Sequence, residues 1–138
     1  MERTLFDNKG EAVAYITTDY HESIYLWDGY PVAYLYNEQH IYGINGRHLG
    51  WLINDILYDN SGARIGFTFR TCPVATAKEP AKAEKFPMDE LRSRWSAPPT
   101  PKLSYGFSDQ SLADFLKEGQ IVRFPEEPQG EESEDSET

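Results

Sequence analysis

The first 70 residues repeat one pattern of apolar and polar positions four times. Each copy begins with an aliphatic residue followed by an aromatic one and continues through a polar turn that contains a glycine. It ends with three successive positions that are apolar, small and aromatic in that order. The opening pairs are Leu5-Phe6, Ile24-Tyr25, Ile41-Tyr42 and Leu57-Tyr58. Two short β-prone runs separated by a turn predict a β-hairpin. We therefore expect four hairpins and eight short strands.

The turn of each copy contains a glycine at the same offset, at Gly10, Gly29, Gly46 and Gly62. Asn or Asp stands within three residues before each of them, as in Asp28-Gly29. Glycine adopts a positive φ without the steric penalty that a Cβ brings, which is what a tight hairpin turn requires. The asparagines and aspartates are explained by the same turn geometry, which we prefer to a recurring calcium site.

The small residues of the return strands, Ala14, Ala33, Gly50 and Gly66, lie between bulky neighbours. A strand accepts such residues where another backbone approaches closely. Four equivalent small positions predict hairpins that converge on a pseudo-fourfold axis, and the alternative is four independent surface hairpins. We expect the ring to close where Leu5-Phe6 meets Phe67–Phe69, which would leave no free sheet edge. The predicted fold is all-β: four repeated β-hairpins around a pseudo-fourfold axis.

The repeat pattern stops after residue 70, and the remaining chain divides into three predicted segments. Residues 71–104 hold most of the prolines and predict a linker, in which Pro87 to Trp95 could form two helical turns. Residues 105–119 predict a short amphipathic helix with Leu112, Phe115 and Leu116 on one face, capped by Ser108 or Asp109 and ended by Gly119. We expect this helix to pack on the outside of the β body or on a partner, because it is too short to be stable alone.

The acidity of the chain is concentrated at its C-terminus. The whole sequence has 13 basic and 23 acidic residues, for a net charge of −10. Seven of the acids and no base fall in residues 126–138. We expect residues 120–138 to form an acidic disordered tail. The remainder has a net charge of only −3, so the composition predicts no nucleic-acid binding.

Cys72 is the single cysteine, so no internal disulfide forms. The sequence shows no signal peptide and no apolar run near 20 residues, which predicts a cytoplasmic protein without a membrane contact.

The repeated phrase, which continues through Gly-Arg-His-Leu-Gly-Trp to Tyr58-Asp59, resembles the four-fold β-flower domain of bacterial proteins. The resemblance covers residues 3 to about 70, and the later proline-rich and Ser-Leu-Ala-Asp-Phe-Leu segments are also similar. It implies a disc of four hairpins and no particular activity. Looser similarities to MORN and tyrosine-aspartate repeats are disfavoured, because the intervals of 19, 17 and 16 residues between repeats are uneven.

The polar residues do not form a recognisable catalytic or metal-binding motif. His21, His40 and His48 lack metal-ligand spacing, and Cys72 precedes a proline without a histidine or acid to activate it. The glycines are spaced by hairpins and do not form a phosphate-binding loop. We expect no catalytic residue, no metal and no cofactor.

Aromatic residues give the best indication of a binding surface. The equivalent rings of the four repeats are expected in the core, whereas other aromatics break the repeat pattern and are not required by it. Such residues on turns and loops often anchor binding surfaces. The candidate binding residues are Tyr20, Trp27, Tyr30, Tyr36, Arg47 and His48.

The sequence favours a non-enzymatic binding or protein-interaction module whose partner is another protein. The alternative is a small-ligand-binding or hydrolytic protein with its site on the pseudo-fourfold axis. A third hypothesis is that the acidic tail mimics nucleic acid or tethers a basic partner. The oligomeric state is left open.

Overall fold

Eight strands and one helix form the secondary structure of the computed structural model, which describes residues 2–18, 22–88 and 90–121. The strands are β1 (Arg3–Phe6), β2 (Ala12–Ile16), β3 (Ser23–Leu26), β4 (Pro31–Tyr36), β5 (His40–Gly43), β6 (His48–Ile53), β7 (Ile56–Asp59) and β8 (Arg64–Phe67), and the helix is α1 (Leu112–Lys117). Hairpins 1 to 4 are the successive pairs β1–β2, β3–β4, β5–β6 and β7–β8. The predicted all-β fold is confirmed.

The strands form a closed antiparallel barrel in which each one pairs with its neighbours in the sequence. Phe6 of β1 pairs with Phe67 of β8 and closes the ring, as the sequence predicted. Each hairpin has a register shift at the same place, after Leu5, Ile24, Ile41 and Leu57. A bulge bends and twists a strand. Four equivalent bulges therefore help such short strands to curve into a ring.

Two kinds of turn lie at opposite ends of this barrel. At the turn of hairpin 3, Gly46 has φ +92° and its N–H donates to the Gly43 carbonyl at 2.9 Å. The connections between hairpins instead place Asn37-Glu38 and Asn54-Asp55 at φ values between 52° and 66°. Two consecutive positive φ values are typical of the tight turns whose twist matches antiparallel strands.

The interior of the barrel is aliphatic and includes α1. Leu112, Phe115 and Leu116 are at most 2% exposed and belong to the same buried cluster as the aliphatic strand residues. A Cβ on Gly66 would lie 3.0 Å from the Leu112 side chain, and one on Gly50 would lie 3.0 Å from Phe115. The small axial residues thus leave room for the helix. The expectation that the helix packs outside the disc is wrong, because its apolar face fills the axis.

The ends of α1 are held by side-chain hydrogen bonds. The Ser111 hydroxyl caps the helix by accepting from the Asp114 N–H at 3.1 Å, so the helix begins after Ser111 and not at Ser108 or Asp109. At the other end, Asn45 in the turn of hairpin 3 donates its side-chain amide to the Glu118 carbonyl and its N–H to Gly119. These bonds place α1 at the end of the barrel that carries the glycine turns.

The proline-rich residues after the barrel run around it in extended form, and we call residues 74–107 the arm. Its N–H groups donate to the four turn-glycine carbonyls in chain order, at distances of 2.8 to 3.0 Å. The bonds pair Ala77 with Gly10, Phe86 with Gly29, Trp95 with Gly46 and Ser104 with Gly62. The four donors are nine residues apart, so one nine-residue segment of the arm serves each hairpin.

The predicted second helix between Pro87 and Trp95 is not found: residues 87–88 and 90–95 have no helical structure. The N–H groups of Arg92 and Trp95 donate instead to the carbonyls of Ile44 and Gly46. A helix would use the same N–H groups internally. Bonding to the barrel therefore replaces helix formation.

The acidic tail predicted for residues 120–138 lies outside the described residues from residue 122 onward. Within the part of the chain that is described, no helix has the length and apolar character needed to cross a membrane.

Candidate functional site

The aromatic rings at equivalent strand positions point away from the aliphatic interior, because side chains alternate along a strand. They are nevertheless buried, at 9% exposure or less. They are Phe6, Tyr15, Tyr25, Tyr34, Tyr42, Trp51, Tyr58 and Phe67. The core role predicted for them is confirmed, and contacts with the arm show what covers several of them.

At hairpins 1 and 2 the arm places lysines over these rings. The Lys82 ammonium lies 4.7 Å from the centre of Tyr15, and that of Lys85 lies 5.2 Å from Tyr25. Lys82 also pairs with Glu2, and Thr4 donates to Glu79. Cation–π contacts at such exposed places are weak, because water competes for the ammonium groups.

At hairpin 3 an arginine replaces the lysine and makes more contacts. The Arg94 guanidinium lies 3.8 Å from the ring centre of Tyr36 and donates to the Tyr34 hydroxyl at 3.3 Å. The Tyr42 hydroxyl donates to the Trp95 carbonyl at 2.8 Å. The planar guanidinium can stack on a ring and donate a hydrogen bond at the same time, which an ammonium does less well. Hairpin 3 is therefore bound to the arm by polar and stacking contacts together.

At hairpin 4 the arginine belongs to the barrel and the rings belong to the arm. Arg64 donates two side-chain N–H bonds to the Tyr105 carbonyl, at 2.9 and 2.6 Å, and lies 4.7 Å from the ring centre of Phe107. Burial alone would raise the pKa of the nearby Asp59, but hydrogen bonds from Ser108, Ser61 and two backbone N–H groups outweigh it and lower that pKa. Ionised Asp59 thus helps to hold the end of the arm.

A pair of histidines lies on the outer side of hairpin 3. His40 Nδ1 and His48 Nε2 are 3.0 Å apart and share a hydrogen bond, and the other nitrogen of His48 is 3.3 Å from the Asn60 side-chain oxygen. Burial lowers the pKa of His48, and the charge of His40 lowers it further. The hydrogen bond that the Asn60 side-chain oxygen accepts from His48 acts in the opposite direction and raises this pKa. The two rings bond to each other, so these nitrogens are not arranged around a common ligand.

Of the six candidate binding residues, four contact the arm. Tyr30 stacks on Phe86 at 4.1 Å between ring centres, and the Trp27 carbonyl accepts from the Ala83 N–H at 2.9 Å. Tyr36 lies against Arg94, as described above, and Arg47 lies 5.7 Å from the Trp95 ring while pairing with Glu118 at 3.8 Å. These four residues form a contact surface for the chain's own arm, and their role in binding a partner stays a prediction.

The other two candidates are placed differently. His48 is buried at 7% exposure in the histidine pair, so little of its side chain reaches the surface. Tyr20 lies outside the described residues. The structure thus gathers Tyr36, Arg47 and His48 around hairpin 3 and places Trp27 and Tyr30 at the turn of hairpin 2.

The large side chains that remain exposed are mostly on the arm. Phe69, just before it, is 76% exposed, and on the arm itself Trp95 is 59% and Tyr105 86% exposed. Phe86 and Phe107 are 44% and 45% exposed. The sequence predicts a linker here and assigns these residues no binding role. The nine-residue spacing between Phe86 and Trp95, equal to the spacing of the glycine contacts, is a signal that could have found these two residues. The spacing does not mark Tyr105 or Phe107.

Chemical groups for catalysis or metal binding are not assembled in the described residues. No group of three or more His, Cys, Asp or Glu side chains that could hold a metal ion is found there. Cys72 is half-buried, with its Sγ 3.6 Å from the Asp7 carbonyl. A cleft of about 270 Å³ lies beside the arm between hairpins 1 and 4, lined by Arg3, Phe6, Asp55, Phe69 and Arg70 among others.

Comparison with known protein families gives one match, to the family described as 4-fold beta flower protein, over residues 3–116. The chain belongs to this family. The match extends through the arm and most of α1, which agrees with the integration of both into the barrel. No curated protein and no solved structure matches the chain.

Proposed function

We propose that this β-flower protein is a non-enzymatic interaction module of the cytoplasm, and that the exposed aromatic surface of its arm contacts another protein. The observation that carries the proposal is the exposure of Trp95, Tyr105 and Phe107 on a backbone that the barrel holds in place. Trp, Tyr and Arg are the residues that most often dominate the energy of protein interfaces.

The arginines beside these rings strengthen the proposal. Arg47 lies against Trp95, and Arg64 lies against Tyr105 and Phe107. The rings are therefore partly ordered before any partner arrives, which reduces the entropy lost on binding. A surface of ordered aromatic and arginine side chains fits a protein partner better than it fits a small molecule, which would need an enclosed pocket.

The alternative function, a ligand or hydrolytic site on the pseudo-fourfold axis, has no comparable support. The axial positions around Gly50 and Gly66 are packed against Phe115 and Leu112 of α1. The alternative stays a prediction, as do the expectations of no cofactor, no nucleic acid and no membrane contact.

Photo-crosslinking in the native host tests the proposal. A photoreactive phenylalanine at position 95 or 105 is expected to give a discrete adduct larger than the protein itself. The same probe at the exposed Glu11, on the turn of hairpin 1, is the matched control and is expected to give none. Once the adduct is identified, Trp95→Ser and Tyr105→Ser should each weaken binding of the purified partner at least about tenfold.

The melting temperatures of these two variants should equal that of the wild type, because both side chains are mostly exposed and the arm bonds through its backbone. Equal crosslinking at positions 11, 95 and 105, or unchanged partner affinity in both variants, would refute the proposal.

A further inference from the structure

Charge is unevenly distributed along the chain, and one segment of the arm is cationic. Residues 91–108, which we call the cationic sector, carry Arg92, Arg94 and Lys102 and no acid, for a net charge of +3. The preceding residues 1–72 and 73–90 have net charges of −4 and −1, and residues 109–121 have a net charge of −2. The cationic sector therefore has the charge that would attract an acidic ligand.

Within residues 2–18, 22–88 and 90–121, no carboxylate forms an ion pair with the cations of this sector. Among the described residues, Arg92, Arg94 and Lys102 take part in no ion pair, whereas Arg47 beside Trp95 pairs with Glu118. Arg92 and Lys102 are exposed, and Arg94 lies over the Tyr36 ring. Trp95 and Tyr105 stand exposed among these charges. The sector thus combines large apolar surfaces with cations that have no ion-pair partner among the described residues.

The chain itself carries a segment of the opposite charge, which begins five residues after Ile121 in the sequence. Residues 126–138 contain seven acids and no base. Ile121 packs with Met88 and Leu91 against the cluster of Tyr34, Tyr42 and Ile44, which is where the cationic sector begins. The 17 residues after Ile121 span up to about 56 Å when extended, enough to follow the 18 residues of the sector.

We propose that the acidic C-terminal segment, residues 126–138, docks on the cationic sector of the same chain. Each exposed ion pair contributes little, but seven acids tethered beside three bases interact at a high effective concentration. Salt weakens the contact, because exposed charges are screened over about 10 Å at 0.1 M ionic strength. This intramolecular docking does not require that an external protein bind to the arm. Where one does bind at Trp95 and Tyr105, the acidic segment competes with it.

Paramagnetic relaxation enhancement tests the docking in the full chain. A nitroxide at Ser136→Cys, in a Cys72→Ser background, is expected to broaden amide signals of residues 91–96 and 102–108 at low salt. Amides of residues 7–11, on the turn of hairpin 1, should keep their intensity. The broadening should disappear in 0.5 M sodium chloride. Absence of broadening at low salt, broadening spread over the whole surface, or broadening that survives high salt would overturn the proposal.

Charge-reversal variants identify the surface that is used. The double variant Arg92→Glu, Lys102→Glu should abolish the broadening. The control is the double variant Lys9→Glu, Lys78→Glu, which reverses two exposed charges outside the cationic sector and should leave the broadening unchanged. Circular dichroism and the amide spectrum verify that each variant is folded. Mixing spin-labelled molecules with separate isotope-labelled molecules tests whether the segment docks on a second copy of the chain. If the broadening in this mixture equals that in a chain carrying both labels, docking within one chain is overturned.

Discussion

Gly50 is the more tightly enclosed of the two glycines among the small positions near the barrel axis. A Cβ there would lie 2.1 Å from the Tyr58 carbonyl oxygen, whereas at Gly66 the nearest atom, 3.0 Å away, is the end of the Leu112 side chain. Backbone on a neighbouring strand cannot move away without breaking the sheet, but a leucine can change its rotamer. Two glycines in equivalent repeat positions are therefore constrained by different neighbours.

Gly50→Ala is expected to lower the free energy of unfolding by about 2–3 kcal/mol, because an added methyl group overpacks the barrel against rigid backbone. Gly66→Ala should cost less than about 1 kcal/mol, since Leu112 can adjust. Gly106→Ala, where the nearest atom is 3.5 Å from the new Cβ, is the control and should be neutral. Urea denaturation measures all three, and equal losses at Gly50 and Gly66 would contradict the explanation.

His48 makes stability depend on pH near neutrality. Burial lowers its pKa in the folded protein below the ordinary value of 6.5, so the unfolded chain binds the proton more readily. The contribution of His48 to stability is thus complete above pH 6.5 and is lost as the pH falls towards the folded-state pKa.

The free energy of unfolding should therefore decrease when the pH is lowered from 7.5 to 5.5, and His48→Gln should reduce this decrease because glutamine does not titrate. Denaturant titrations at several pH values measure it. His21 and His40 are present in both proteins, so a difference between the two pH profiles results from the replacement of His48. A variant whose pH profile is identical to that of the wild type would show that His48 is not responsible.

The arm is the element whose geometry depends most on spacing. Its four N–H bonds to the turn glycines recur every nine residues, and the carbonyls of Ala75, Glu84, Ser93 and Lys102, also nine apart, each lie close to one of those glycines. These repeated contacts join backbone to backbone and add to the side-chain contacts that differ from hairpin to hairpin. The segments accordingly differ in sequence while their length stays the same.

Deleting Ala97 should disrupt this fit at hairpin 4, because a segment one residue shorter loses about 3.3–3.6 Å of reach. The amide of Ser104 is expected to lose hydrogen-exchange protection, while that of Phe86, two segments earlier, keeps it. Ala97→Gly preserves the length and is the control. Retained protection at Ser104 in the deletion variant would show that the spacing has no structural role.

At the scale of the molecule, the barrel and the C-terminal segments form one folding unit. Leu112, Phe115 and Leu116 are nearly inaccessible to solvent within the barrel, although they lie more than 40 residues after its last strand. Removing a single large side chain from a core typically costs about 2–5 kcal/mol. Losing three at once approaches the whole stability of a small domain, about 5–15 kcal/mol.

A chain ending at residue 104 is therefore expected to show no cooperative thermal unfolding, whereas one ending at residue 121 should melt near the temperature of the full chain. Circular dichroism and calorimetry measure the difference. Cooperative melting of the 1–104 chain at the wild-type temperature would mean that α1 contributes nothing to the core.

The candidate site was harder to predict than the fold. Tyr30 and Tyr36 are candidates because they break the repeat, and Arg47 because it lies just past the third turn. The structure places all three on a surface that contacts the arm. That surface is covered by the arm, and the exposed rings of Trp95, Tyr105 and Phe107 lie on the arm itself. Pairing between distant segments is not encoded in any local pattern, so a proline-rich stretch without periodic hydrophobicity was interpreted as linker.

The sequence alone determined the four hairpins, their turns and the closure of the ring, because each depends on local chemistry repeated at fixed offsets. Gly46 requires its turn, and Ile41-Tyr42 favours its strand, whatever lies elsewhere. The course of the arm and the burial of α1 were decided only by tertiary structure. The residues around Arg92 and Trp95 are compatible with a helix, yet the N–H groups of these two residues donate to barrel carbonyls. Leu116 needs apolar neighbours, and it finds them at the barrel axis, where the small residues leave room.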